Sequence, residues 1–167
     1  MKNWLWCVPL FTLIIAVNAL AGGTLVSFNA GIGVTPFENT GSAASPTVAA
    51  NVVRGVNPPG APWRIGSLFA AVDTDGKIEV VGTRLLLAGG NGLGSNPVAN
   101  VEAKLFCGTS DTPFDSPAVP LDANGNFFIS GALSSTPPFP CTTPVLLIVA
   151  APNGAWLAAG IPDNNGL

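Results

Sequence analysis

The placement of proline and glycine constrains this chain more than any other feature. The sequence holds sixteen prolines and twenty glycines among 167 residues. Both are poor in a helix interior, glycine because its backbone loses most entropy on ordering and proline because it lacks an N–H. Beyond residue 21 the chain is a series of short apolar runs parted by turn residues, with no helical periodicity. That pattern predicts an all-β fold: an antiparallel β-sandwich of seven to nine strands, immunoglobulin-like in general architecture. The Cys-Trp-Cys spacing of true immunoglobulin domains is missing.

Three hairpins are legible. Asp73-Thr74-Asp75-Gly76 separates Trp63 to Val72 from Lys77 to Leu87, and Asp-Gly suits a tight turn because glycine takes positive φ without steric cost. In the return strand Ile78 and Val80 alternate with Lys77 and Glu79, as in a half-buried strand. Asp122-Ala123-Asn124-Gly125 separates Val119 to Leu121 from Asn126 to Leu133, and Pro152-Asn153-Gly154 separates Val145 to Ala151 from Ala155 to Ala159. The unbroken apolar run Val145 to Ala151 predicts the central, most buried strand. Thr24 to Asn29 and Gly31 to Pro36 read as a strand or strand pair. Residues 38–47 read as a flexible loop, and Val48 to Val56 as a strand ended by Asn57-Pro58-Pro59-Gly60. Gly89 to Pro97 is a glycine loop. No strand–helix boundary and no Gly-Lys-Ser/Thr accompanies it, so it lacks the context of a phosphate cradle.

The first 21 residues are expected to be a secretory signal peptide with a signal helix. Lys2 precedes an apolar run from Trp4 to Val17, and Ala19-Leu20-Ala21 followed by Gly22 forms an A-x-A cleavage site. The single domain is then 22–167, without a membrane span after signal removal, and the location is secreted or periplasmic. Cys7 leaves with the signal. Cys107 and Cys141 remain, an even pair in an oxidising compartment, and are expected to form a disulfide. Alternation of Val101, Ala103, Leu105 and Cys107 with Glu102, Lys104 and Phe106 puts Cys107 on an inward face and turns Phe106 the other way.

Charge narrows the function. After residue 21 there are five bases (Arg54, Arg64, Lys77, Arg84 and Lys104) and nine acids, and five minus nine is −4. A sparse acidic surface argues against nucleic acid, which needs clustered Lys and Arg, and against an anionic membrane. The chain has no histidine and no tyrosine. Ser-His-Asp and Cys-His arrangements are therefore impossible, as is a histidine-bearing metal site. No metal or cofactor is expected.

The remaining motifs have plain structural explanations. Asp73-x-Asp75-Gly76 resembles the opening of a calcium loop, but Glu79 follows too soon to close one and Lys77 is a poor neighbour for a cation. Asp122-x-Asn124-Gly125-Asn126 reads as a turn for the same reason. Glu79 and Glu102 sit in outward registers beside Lys77 and Lys104, the arrangement of a solvated face rather than of a catalytic carboxylate pair. Trp63 and Trp156 are expected in the core. Phe106 and one of the adjacent pair Phe127 and Phe128 are expected to face outward, and a strip of exposed aromatics would mark a binding face. The sequence shows no convergent charged cluster.

Several segments resemble a group of small secreted bacterial β-domain proteins. They include Phe28 to Val34, Val53 to Pro58 with Pro62-Trp63, Thr74 to Ile78, Leu85 to Gly90, Leu105 to Cys107, Cys141 to Ile148 and Gly154 to Pro162. The resemblance covers most of the chain beyond the signal. It implies one export-dependent domain that includes Phe28 to Val56, and it carries no activity. The resulting expectation is an exported, non-enzymatic binding or structural module whose partner is an extracellular polysaccharide or a protein. The alternatives are a secreted hydrolase using carboxylates and a self-associating surface or matrix protein.

Overall fold

The computed structural model describes residues 22–151 and 154–163. The expected signal segment, with Ala19 and Ala21, lies outside the described residues. Gly22 stands two residues before the first strand. Thirteen strands follow in chain order: β1 Thr24–Gly33, β2 Phe37–Asn39, β3 Val48–Ala50, β4 Trp63–Arg64, β5 Ser67–Asp73, β6 Lys77–Thr83, β7 Leu86–Leu87, β8 Asn100–Phe106, β9 Phe114–Asp115, β10 Val119–Pro120, β11 Phe127–Ala132, β12 Val145–Ala151 and β13 Trp156–Pro162.

Nine of them form one sheet in the order β10-β8-β12-β13-β1-β5-β6-β11, with β9 also paired to β8. Every pairing is antiparallel. The all-β, antiparallel class is therefore as the proline and glycine pattern predicts. The other four strands make two small ribbons, β2-β3 and β4-β7. The first of these, with Asn39 Oδ1 accepting from the N–H groups of Gly41 and Thr47, carries the expected 38–47 loop at its tip.

Burial follows the side-chain patterns. In β12 the five residues Leu146 to Ala150 are buried in succession, so this strand is covered on both faces, as its unbroken apolar run predicts. In β5 and β6 burial alternates instead. Leu68, Ala70, Val72, Ile78 and Val80 point inward, while Phe69, Ala71, Lys77, Glu79 and Val81 point to solvent. Trp63 and Trp156 lie in the core as expected, and the indole N–H of Trp156 donates to Asn51 O at 2.8 Å.

The sheet curls over this core until its two ends meet. Ser134 N–H, just past β11, donates to Asp115 O of β9 at 2.8 Å, and Ser134 Oγ accepts from Asp115 N–H at 3.0 Å. This closure corrects one expected hairpin. Asp122 to Gly125 does form a turn, with Gly125 N–H donating to Asp122 O. However, the strands that flank it do not pair in register: β10 pairs with β8 and β11 with β6. The turn joins the two ends of the curled sheet. The first and third hairpins are as expected, β5 with β6 and β12 with β13; residues 152–153 of the third turn are outside the described residues.

The start of the domain is one ten-residue strand rather than a pair, and its register against β13 shifts between Phe28 and Ala30. The long Trp63-to-Leu87 hairpin breaks in its lower part. Its distal portion is β5-β6 and its base is β4-β7, with Ile65-Gly66 and Arg84-Leu85 at the break. Arg84 has φ +54° there, in the left-handed region that few non-glycine residues adopt. Leu85 leaves the ladder, buries its side chain completely and donates its N–H to Gly125 O at 2.8 Å.

Candidate binding face

The solvated side of β5, β6 and β11 is built in rows. Pairing places Phe69 opposite Val81, and Val81 opposite Phe128. All three point outward, with exposures of 53%, 45% and 57%. The row crosses two strand spacings, about 9.5 Å. It is the sheet analogue of a cross-strand ladder, except that its apolar groups face water. Such a row on an exposed sheet face is an apolar patch that solvation does not favour.

Polar rows flank it. On one side lie Ala71, Glu79 and Ser130, paired in that order. Ser27, Asn29, Phe69, Glu79 and Val81 outline a shallow depression of about 280 Å³. The side-chain amide of Asn29 donates to the Asp163 carboxylate. On the other side, Ser67 and Thr83 are cross-strand partners whose hydroxyls share a 2.7 Å hydrogen bond.

The strip runs from there into the break of the hairpin. An open cleft of about 710 Å³ lies at this place, lined in part by Arg64, Thr83, Arg84, Asn124 and Asn126. The Asp122 turn forms one wall. Asp122 Oδ1 accepts from the N–H groups of Asn124 and Asn126, each at 2.8 Å, and Oδ2 accepts from Asn126 Nδ2 at 3.0 Å. These bonds, the Asn126 N–H foremost, hold the Asp122 carboxyl below its ordinary value of 3.8. Asn126 Oδ1 in turn accepts from Arg84 N–H.

Asp75, Lys77 and Lys104 are engaged locally. Asp75 takes the Lys77 N–H at 3.1 Å and the Lys77 ammonium at 2.9 Å, which lowers its pKa and raises that of Lys77. Asp75 and Asp122, one carboxylate from each candidate calcium motif, are thus engaged within their own turns. Lys104 lies between Asp115, 2.7 Å away, and Glu102, 3.1 Å away. Partial burial opposes its charge, but the two carboxylates outweigh it and its pKa is raised. Glu79 and Glu102 stand on β6 and β8, with β12, β13, β1 and β5 between them in the sheet order.

The expected aromatic face is partly corrected. Phe128 is exposed and Phe127, next to it, is buried, as alternation requires of an adjacent pair. Phe106 is fully buried and takes no part in any exposed face. Leu105, Phe106 and Cys107 are buried in succession, so both faces of this strand end are covered. The turn at Val53 to Val56 is pinned here: the Arg54 guanidinium donates to the carbonyl of Gly108, and Val53 and Val56 pack against the core. Cys107 and Cys141 form the expected disulfide, with Cα atoms 4.9 Å apart and both residues buried.

Two groups escaped the reading of the sequence. Phe69 was within reach, because Leu68, Ala70 and Val72 alternate with it. Arg64 and Arg84 were not, because only the broken base of the hairpin brings them to the border of one cleft. Comparison with protein-family models, with curated proteins and with solved structures gave no match. No helix among the described residues is long and apolar enough to cross a membrane.

Proposed function

We propose that this chain is an exported, non-enzymatic binding module whose outer sheet face engages an extracellular polysaccharide. The observation that carries the reading is the solvent-facing row Phe69, Val81 and Phe128 on a regular three-strand surface. A sugar ring presents C–H groups on its faces and hydroxyls around its rim. It is therefore matched by apolar surface beneath and hydrogen-bonding groups beside it, which the neighbouring Asn29, Glu79, Ser67 and Thr83 supply. Sheet strands hold such a platform rigid, so little ordering cost is added on binding. The apolar run before Ala19-Leu20-Ala21 and the Cys107–Cys141 disulfide support export, since disulfides persist in oxidising compartments.

The test is co-sedimentation of the purified exported protein with a panel of insoluble polysaccharides, wild type beside the Phe69→Ala/Phe128→Ala double variant. Both side chains are exposed, so the double variant is expected to keep its fold. Retention of the wild type on at least one polymer, reduced about tenfold or more in the variant, is the expected result. Failure of the wild type to sediment with any polymer, or equal retention of both proteins, would reject the reading.

A further inference from the structure

Five cationic side chains lie among the described residues, and their partners divide them unequally. Arg54 lies 3.8 Å from Asp111, Lys77 is paired to Asp75, and Lys104 to both Glu102 and Asp115. Arg64 and Arg84 have no ion pair among the described residues, and both line the same cleft. In a chain with more acids than bases, the two arginines without an ion pair therefore border one cleft. Their placement is built by the fold. Arg64 is fixed by β4, where it pairs with Leu86. Arg84 is held at φ +54° between Thr83, whose carbonyl accepts from Gly66 N–H, and the anchored Leu85. The absence of a side chain at Gly66 lets the stem of Arg84 lie close, since a Cβ there would stand 3.1 Å from Arg84 Cβ and 3.2 Å from its Cδ.

The acid nearest in sequence to this wall is Asp122, and its carboxylate is engaged by three N–H donors of its own turn. Guanidinium groups present planar forks that match a carboxylate or another oxyanion in two parallel hydrogen bonds. The cleft is also continuous with the aromatic strip. Thr83, on its wall, is two residues along β6 from Val81 and on the same side of the sheet, a distance of about 7 Å. At the opposite side of the strip stands Glu79, so the face is electrostatically polar along its strands.

We propose that the cleft is a carboxylate-binding pocket in which Arg64 and Arg84 clamp an acidic group of a polysaccharide lying on Phe69, Val81 and Phe128, so that the ligand is a uronate-containing polymer. This assignment rests on the polysaccharide reading above. Binding is then selective for acidic over neutral chains and weakens as salt screens the charges.

The experiment is isothermal titration of the exported protein with soluble polygalacturonate, with its fully methyl-esterified form and with inorganic phosphate. Wild type is compared with Arg64→Gln, Arg84→Gln and Phe69→Ala/Phe128→Ala. Arg64 is the safer variant, because its backbone conformation is ordinary. The expected result is binding of polygalacturonate about tenfold or more tighter than of the ester, lost in either arginine variant and in the aromatic variant. Equal affinity for acid and ester, with both lost in the aromatic variant, overturns the pocket while leaving the strip reading intact. Polygalacturonate binding that depends on the arginines but not on the two phenylalanines overturns the strip reading and with it the proposal that one ligand spans both. Phosphate binding as tight as polygalacturonate binding assigns the pocket to small free oxyanions and rejects the polymer.

Discussion

At the scale of single residues, space and local hydrogen bonds decide what the outer face of β5, β6 and β11 looks like. Phe127 and Phe128 are adjacent and chemically identical, yet one is core and the other surface. Phe127 goes inward because its strand partner is Gly82, where an added Cβ would stand 2.1 Å from the Phe127 ring. Gly82→Ala is expected to force this ring aside and to destabilise the domain by about 1–3 kcal/mol, the usual cost of overpacking; chemical denaturation measures it. An unchanged midpoint would mean that the ring has room to move. Asp122 gives a prediction with a sign. Its folded pKa is depressed, so the contribution of its carboxylate is complete above the ordinary value of 3.8 and is lost as the pH falls through the folded value. The stability gap between wild type and Asp122→Asn should therefore be constant near neutrality and close in acid. A gap independent of pH down to acid unfolding would show that the charge of Asp122 does not matter to its turn.

At the scale of elements, the sequence was readable wherever one strand's own pattern determined its surroundings. Gly76 marks the β5-β6 turn and takes φ +86°. The alternation of β6 and the apolar run of β12 each state how many faces are covered. The errors came where a distant element supplies the cover or the partner. Alternation assigned Phe106 to an outward face, but Leu105, Phe106 and Cys107 are buried in succession, and the Arg54 guanidinium reaches the carbonyl of Gly108 just past that end of β8. The turn at Asp122 was recognised, but the curl of the whole sheet assigns its flanking strands to opposite ends. Arg64 and Arg84 are separated by the entire β5-β6 hairpin, and no periodicity relates them. The disulfide belongs to this scale as well, tying the end of β8 to the segment that leads into β12 across a separation of 34 residues. Its loss through Cys107→Ala is expected to cost about 3–4 kcal/mol by the chain-entropy estimate and to leave Cys141 reactive toward a thiol reagent after unfolding. A melting temperature equal to wild type would contradict that role.

At the scale of the molecule, the curled sheet does two things at once. Lacing Ser134 to Asp115 closes the ends of the sheet on each other, and the strands at the β8 end, β9 and β10, are only two residues long. Long unpaired edges, which invite other chains, are reduced in this way. One side of β5, β6 and β11 nevertheless remains open to solvent, regular and apolar along a single row. The broken base of the same hairpin opens the arginine-lined cleft at the end of that row. The open apolar row and the cleft are therefore consequences of one element that is paired at its tip and splayed at its base. The measurement that tests this most directly is an NMR titration of the isotope-labelled protein with short neutral and acidic oligosaccharides. The account predicts saturable shifts of the amides in Ser67 to Ala71, Glu79 to Thr83 and Phe127 to Ser130, with little change elsewhere on the sheet. Shifts centred on another surface, or none with any oligosaccharide, would contradict it.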